Sequence, residues 1–506
     1  MIAADPVLLG PSVNWFALSP LLILLGAAVV LLVVGALMPR RPPHVYALFT
    51  VAAGLATMIV CFFLWDNITD GGASTLVGGA LRFDVFTMFI TITIAASLVL
   101  VALSTDDYLR REGLEGPEVY ALYLLASIGG VIMGSANDLI VLFLGLEILS
   151  ISFYVMSASH RKRIESQESG IKYFILGGFS SAFFLYGIAM VYGTAGSTNF
   201  SKIVASFNAI VPAQRHDAFI LAGVALLIVG LGFKVAAVPF HFWTPDVYQG
   251  APTPVTSFMG SVGKVAAFGA MLRVLIYALP HWSDDYRPIV WTLAVLTVVV
   301  GSTMAVVQTN VKRMLAFSSV SHAGFILIGV EAAAHRAGQP DLGDGIPSAL
   351  LYMLLYSVLV VGSFAVVTMV SRTGDNATDL SSFRGLGKSH PFLAFGMTVL
   401  LLAQAGVPLT SGFVAKFGVL QAAVEEHSYA IAIIGMVASV IAAFLYLRIM
   451  VSMWITEPET GDADREAVRV PLWTGVAVAL AVGFTLLVGF YPGWLIDAAK
   501  AAVITK

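Results

Sequence analysis

The chain reads as a succession of apolar runs separated by short polar stretches. About 20 apolar residues are needed to cross roughly 30 Å of hydrocarbon. Fourteen runs reach or approach that length, near 16–38, 44–65, 83–103, 119–135, 138–158, 170–192 and 218–238, then 254–279, 289–308, 313–330, 347–370, 392–424, 429–454 and 471–491. Each predicts a helix, because a segment in lipid must satisfy its backbone polar groups internally. The expected fold is an all-α polytopic membrane protein of about fourteen transmembrane helices, with connections too short for a soluble domain. No basic residue precedes the first run, which also exceeds a signal-peptide core of about 7–15 residues. It is expected to be a retained helix.

Two runs are too long and too interrupted to be straight. The seventh carries Pro239 and Pro245 in the segment Lys234 to Pro245, and the twelfth is broken at Gly406-Val407-Pro408-Leu409-Thr410-Ser411-Gly412. Proline removes a helix hydrogen bond and clashes with the preceding turn, so both are expected to be discontinuous helices. They lie five spans apart and so cross in opposite directions. That arrangement suggests inverted repeats with the working site near the interruptions; two unrelated proline kinks are the alternative. The chain then divides into a three-helix segment (1–118), a first five-helix repeat (119–279), a second inverted repeat (280–454) and a C-terminal helix and tail (455–506).

Basic residues give the direction. Fourteen fall in the loops of one side, among them Arg40, Arg41, Arg110, Arg111, Arg163, Lys312, Arg372, Arg465 and Arg469; seven fall on the other, including Arg215 and Lys506. The positive-inside rule makes the first side cytoplasmic and, with an even number of spans, puts both termini outside.

Composition agrees with lipid as the outer solvent. Hydrophobic residues make up 58% of the 506 positions and charged ones 11%, against about 25% charged in a soluble domain. A net charge of −3 gives no ground for a nucleic-acid partner. The single cysteine, Cys61, excludes a disulfide framework, a cysteine zinc site and an iron–sulfur cluster on this chain, since each needs several cysteines.

Against this background a few charges are out of place. Lys172, Lys234, Lys264, Arg273, Lys416 and Arg448 fall within spans, as does Glu147. A central lysine or aspartate costs about 2.5–3.5 kcal/mol on insertion scales. Lys172 and Arg448 sit near helix ends, where a long side chain can snorkel to the surface, and Arg273 is as compatible with a structural partner as with a pathway. Lys234, Lys264, Lys416 and Glu147 are too deep for easy escape, although structural ion pairing remains open for each. An ammonium in a low dielectric holds its proton weakly, and a nearby carboxylate strengthens the hold. Lysines that gain or lose a carboxylate partner are therefore switchable proton sites. His241, in the first broken segment, and His322, deep in the tenth span, are natural connectors or else satisfied interior histidines. No His/Glu cluster has metal-ligand spacing.

Three stretches carry a family resemblance: Leu146 to Tyr154 (LEILSISFY), Lys234 to Pro254 (KVAAVPFHFWTPDVYQGAPTP) and Lys312 to His322 (KRMLAFSSVSH). They resemble the antiporter-like membrane subunits of respiratory complex I (NADH-quinone oxidoreductase) and of multisubunit Na⁺/H⁺ antiporters. Within that family the chain lacks a long lateral helix after its last span and carries lysine at position 416, where one paralogue has glutamate. The stretch Ile171 to Phe174, followed by Gly177-Gly178 and Ser180-Ser181, narrows the resemblance further. It implies a proton channel in two halves. Glu147 and Lys172 would pair, with Lys234 next to them, Lys264 as a bridge, Lys416 as the terminal lysine, and His241 and His322 as links. It also implies a bacterial plasma-membrane location and other membrane-arm subunits as partners. NADH, FMN, the iron–sulfur clusters and quinone would be held by those partners, with no cofactor on this chain. A stand-alone or multisubunit Na⁺/H⁺ antiporter and a non-pumping membrane scaffold are the competing readings.

Overall fold

The computed structural model describes residues 13–37, 44–214, 218–457 and 468–503. Of the basic residues that set the orientation, Arg40, Arg41, Arg215, Arg465 and Lys506 lie outside the described residues. The first spans are α1 (Ser19–Leu37), α2 (Val45–Gly71), α3 (Val85–Glu112), α4 (Glu118–Ser135), α5 (Leu139–Ser157) and α6 (Ile164–Ala195). A peripheral α7 (Phe200–Gln214) leads to α8 (Ala218–Val235) and the short α9 (Trp243–Gly250). Then come α10 (Thr253–Phe258), α11 (Lys264–Leu272), α12 (Ser283–Val306), α13 (Val311–His335) and α14 (Gly345–Val370). The chain ends with α15 (Leu386–Ser389), α16 (Pro391–Ala405), α17 (Ser411–Glu425), α18 (Tyr429–Trp454), α19 (Leu472–Phe490) and α20 (Gly493–Ala501).

Thirteen stretches among the described residues are long and apolar enough to cross a membrane. With α16 and α17 counted as one broken span, each of the fourteen apolar runs has its helix. Two features had no forecast. An antiparallel hairpin, β1 (Ser74–Leu76) with β2 (Leu81–Phe83), joins α2 to α3. The amphipathic α7 buries Phe200, Ile203 and Phe207.

Three spans, Thr253–Ala278, α13 and α14, are covered by protein on every side. Around them, α1, α2, α6, α18 and α19 expose much of their apolar surface, including Phe174, Phe179 and Val440. A helix apolar all round is stable only with lipid or protein on every face, so these outer faces meet hydrocarbon. The central span Thr253–Ala278 is not a uniform helix. It contains π-helical turns at Met259–Gly263 and Arg273–Ala278, directly before Lys264 and beginning at Arg273. Such turns occur frequently at functional sites.

Both expected interruptions are present, each built by a local conflict. After Val235 the chain turns at Ala236, whose φ is 62°. The Ala236 and Ala237 N–H groups fold back onto the carbonyls of Phe233 and Gly232, at 3.1 and 2.8 Å, and Val238 N–H donates to Thr297 Oγ1 at 2.9 Å. Helix α16 ends at Gly406, with φ 88°. The Gly406 and Val407 N–H groups both donate to Leu402 O at 3.1 Å, a left-handed termination that favours glycine.

The entrances to the fifth and tenth spans share one local design. Asp138 caps α5, accepting from Ile140 N–H at 2.8 Å, and bridges to Asn199. Asn310 caps α13, accepting from Arg313 N–H at 3.2 Å, and bridges to Asp379. The next residue donates its N–H to a threonine carbonyl in each case, Leu139 to Thr198 at 2.9 Å and Val311 to Thr378 at 2.7 Å. Five spans apart, the two motifs begin helices of opposite direction.

Candidate proton pathway

In the first half, Glu147 projects from α5 and accepts a hydrogen bond from Ser181 Oγ on α6 at 2.5 Å. It is partly buried, and it is the carboxylate whose charge acts on Lys234. Lys234 is buried in the last turn of α8. Its ammonium has no hydrogen-bond partner among the described residues. It lies 5.3 Å from the ring centres of Tyr154 and Tyr173. Trp243, at the start of α9, stacks on Tyr173 with ring centres 4.4 Å apart. The break thus bends the chain so that its far side walls in the lysine on its near side. Aromatic faces attract an ammonium without binding its protons, which leaves those protons free to move.

Lys172 departs from the pairing implied above. Its ammonium lies 2.7 Å from Glu168 and 2.9 Å from Asp246, and its side chain is 42% exposed. It sits about two turns into α6, with Glu168 one turn earlier on the same face and Asp246 on α9. These two acids hold it at the surface. Arg313 joins them, 2.7 Å from Asp246. Glu147 is not among the contacts of Lys172.

Lys264 is buried at the centre, directly after the π-turn. It donates to the carbonyl of Ser319 on α13 and lies 5.8 Å from the ring centre of Tyr356. One helical turn along α13, His322 places Nδ1 2.7 Å from the Tyr352 hydroxyl and Nε2 3.2 Å from the Tyr446 hydroxyl. Tyr446 lies 2.7 Å from Ser318 Oγ. Ser318 is 3.4 Å from Gln404 Oε1, and Gln404 donates to Ser363 at 2.7 Å. The charges of Lys264 and Lys416 both reach the imidazole.

Lys416 ends the row. It donates to the Ala405 carbonyl at 3.0 Å and to Ser439 Oγ at 2.8 Å, and it lies 4.9 Å from the Phe325 ring centre. The Ala405 carbonyl is one of the acceptors that the end of α16 leaves unpaired. The negative end of that half-helix also favours a cation. His241 is buried in the first break with Nδ1 unpartnered among the described residues. Its ring centre lies 6.4 Å from that of Phe317 on α13, and it touches neither Lys234 nor His322 by hydrogen bond.

The other two intramembrane arginines have structural partners. Arg273 forms a bidentate pair with Asp84, both contacts at 2.7 Å, and donates to Gly134 O at 2.9 Å. Arg448 donates to the carbonyls of Val306 and Gln308 at the end of α12.

One group of buried charges was hidden among residues assigned to loops. Lys312, fully buried, lies 2.9 Å from Asp375, which also meets Arg163 at 3.1 Å and Thr253 Oγ1 at 2.6 Å. Burial alone would raise the Asp375 carboxyl, but the charges of Lys312 and Arg163 hold it well below the usual carboxylate range. Lys312 and Arg163 are therefore not free loop bases. The loop after α14 folds inward and carries Asp375 to them, which distance from a span end does not reveal. The tyrosines around the lysines were also missed; hydroxyls deep inside apolar runs were the available signal. His44, Asp106 and Asp107 present ligand atoms within 4.8 Å of one another, a grouping that spacing did not suggest. Arg110 Nε, 2.7 Å from Asp106, already supplies a cation there.

Residues 136–442 match the family described as NADH:quinone oxidoreductase/Mrp antiporter, transmembrane. The NADH-quinone oxidoreductase subunit N 3 of Streptomyces griseus is 41% identical, over 97% of this chain and 94% of its own. Subunit N of Salinispora arenicola is 42% identical, over 97% and 98%. A chain of the Thermus thermophilus respiratory complex I solved with bound aureothin superposes with a TM-score of 0.78 at 29% identity, over 95% of this chain and 99% of that one. The alternation of spans, the two broken helices and the full-length likeness agree: this chain belongs to the antiporter-like membrane-subunit family, in its NADH-quinone oxidoreductase subunit N branch.

Proposed function

We propose that the chain is a proton-translocating membrane-arm subunit of NADH-quinone oxidoreductase, moving protons through the row Glu147, Lys234, Lys264, His322 and Lys416. Redox chemistry takes place on partner subunits, which hold NADH, FMN, the iron–sulfur clusters and quinone. The observation that carries the reading is the placement of His322 between two lysines, with a tyrosine hydroxyl on each ring nitrogen. An imidazole in that position accepts a proton on one nitrogen and gives it up from the other. Work on a proton crossing 100 mV is about 2.3 kcal/mol, within reach of rearranging one or two ion pairs inside protein.

The protein lies in the plasma membrane with its basic loops in the cytoplasm and both termini outside. Residues 119–279 and 280–454 are inverted repeats, a division supported by the shared Asp138 and Asn310 entrances. His241, in the first break, stands outside the row, with its ring centre 6.4 Å from that of Phe317 on α13. Lys172 acts at the cytoplasmic mouth, where Asp246 and Glu168 hold it, rather than within the row.

NADH-driven proton uptake by vesicles carrying the assembled complex tests this reading. With Lys234→Ala, uptake should fall while the complex stays intact. Undiminished uptake would make the chain a scaffold. A strict Na⁺ requirement for uptake would instead favour the cation-antiporter branch.

A further inference from the structure

Glu331, in the last turns of α13, is only 2% exposed, and the lysine row does not use it. Its Oε1 accepts from Ser428 Oγ at 2.9 Å and lies 3.0 Å from His335 Nε2. Its Oε2 is buried without a hydrogen-bond partner among the described residues. A staple between α13 and the turn before α18 explains the first oxygen. It does not explain the second, because a buried acceptor left unpaired costs about 1–3 kcal/mol. Nor is that staple needed. Arg336, directly after α13, already lies 2.7 Å from Glu426 of the same turn. The His335 side chain is 22% exposed, so the carboxyl is one side chain from the outer surface.

Glu331 is also in line with the end of the row. Residues three or four apart on a helix are neighbours, and Phe325, Ile328, Glu331 and His335 follow one another at that spacing along α13. The Lys416 ammonium lies 4.9 Å from the centre of the Phe325 ring. Between that ring and Glu331 the packing is apolar. A Cβ on Gly435 of α18 would lie 3.0 Å from Leu420, 3.1 Å from Ile328 and 3.5 Å from Phe325. Three side chains from α13 and α17 thus meet on one bare stretch of backbone, and Phe325 and Ile328 are each 1% exposed. An apolar constriction of this kind gates by excluding water.

We propose that Glu331 and His335 are the outer proton exit of this chain, separated from Lys416 by a dry plug of Phe325, Ile328 and Leu420. The inference rests on the proton-translocating reading above. When the plug parts and water enters, the Lys416 ammonium loses a proton and the free Glu331 oxygen gains it. The carboxyl passes the proton to His335, and the imidazole releases one to outer water from its other nitrogen. With the plug closed, a proton on Lys416 cannot leave and an outer proton cannot return.

The proton-to-electron ratio of the assembled complex in vesicles tests this, with K416A as the reference. E331Q keeps the shape and an acceptor for Ser428 but carries no proton, and it should lower the ratio as far as K416A does. R336Q with E426Q removes the staple, and should lower the melting temperature while leaving the ratio unchanged. L420S wets the plug. It should raise passive proton flow under an imposed pH step without NADH, and E331Q in the same chain should abolish that rise. A lower ratio with K416A but not with E331Q would overturn the exit and leave the lysine row standing. No loss with either would overturn both. A leak through L420S that E331Q does not touch would also overturn the exit. If E331Q does not assemble, H335Q decides: a loss equal to that of K416A supports the exit, and an unchanged ratio rejects it.

Discussion

The Lys416 ammonium lies 3.0 Å from the carbonyl oxygen of Ala405, an acceptor left without a helical partner because α16 stops there. The break and the charge are thus parts of one device. Lys234 shows the complementary arrangement: its break supplies no acceptor, and aromatic rings surround the ammonium instead. One lysine is held by a backbone carbonyl, and the other is enclosed by aromatic rings within the field of Glu147.

Gly406 joins break and lysine. A Cβ at this position would lie 2.9 Å from Lys416 Cδ, and the backbone is left-handed there. Gly406→Ala should cost about 1–2 kcal/mol from backbone handedness and should also displace Lys416. Thermal unfolding of the purified complex together with its proton-to-electron ratio checks this, with both expected to fall. A lower melting point with an unchanged ratio would separate the break from transport.

Tyr446 joins His322 to Ser318 through one hydroxyl. Tyr446→Phe keeps the ring and removes that hydroxyl. The hop through His322 should slow by about 100-fold, the lower end of what a positioned proton donor contributes, and the melting temperature should move little. Stopped-flow proton release after a pulse of NADH measures it; unchanged release kinetics would remove Tyr446 from the path.

Glu147 and Ser181 separate charge from hydrogen bonding. Glu147→Gln retains an acceptor for Ser181 but removes the charge that acts on Lys234. Proton uptake should drop with Glu147→Gln and survive Ser181→Ala. Equal losses in the two variants would mean that the hydrogen bond, not the charge, is what matters.

Asp375 ties Lys312 and Arg163 together in the folded chain, so its removal is expected to show in stability. Asp375→Asn leaves Lys312 buried without its counter-charge, and breaking such a pair costs about 3–5 kcal/mol. The folded carboxyl titrates below its unfolded value of about 3.9. Its stabilisation is therefore complete above that value and is lost as pH falls below it toward the folded one. Melting temperatures across acid pH should show a steeper fall for the native chain than for Asp375→Asn; parallel curves would contradict the assignment.

Much of this architecture was legible in the residue order. Hydropathy marked every span because lipid imposes a length and forbids open backbone, and Pro239 and Gly406 announced the breaks. Lys264 and Lys416 stood out because nothing within their own runs offers them an escape to water. What stayed hidden depended on which segments meet in space. Lys172 looked able to snorkel by its position, and only the resemblance paired it with Glu147; α9 returns past it with Asp246 instead. Lys312 looked like a loop base, yet the Asp375 loop folds over it. The tyrosines near Lys234 and His322 show in the sequence only as hydroxyls inside apolar runs; their partners emerge where four helices bring the hydroxyls and rings together.

On the proposed route, protons pass between the two halves through Lys264. The number of protons translocated per electron pair, measured on vesicles holding the assembled complex with Lys264→Ala, tests it most directly. A lower ratio is expected with NADH oxidation still running, because the proposed function leaves the redox chemistry to partner subunits. A ratio equal to that of the unaltered complex would contradict it.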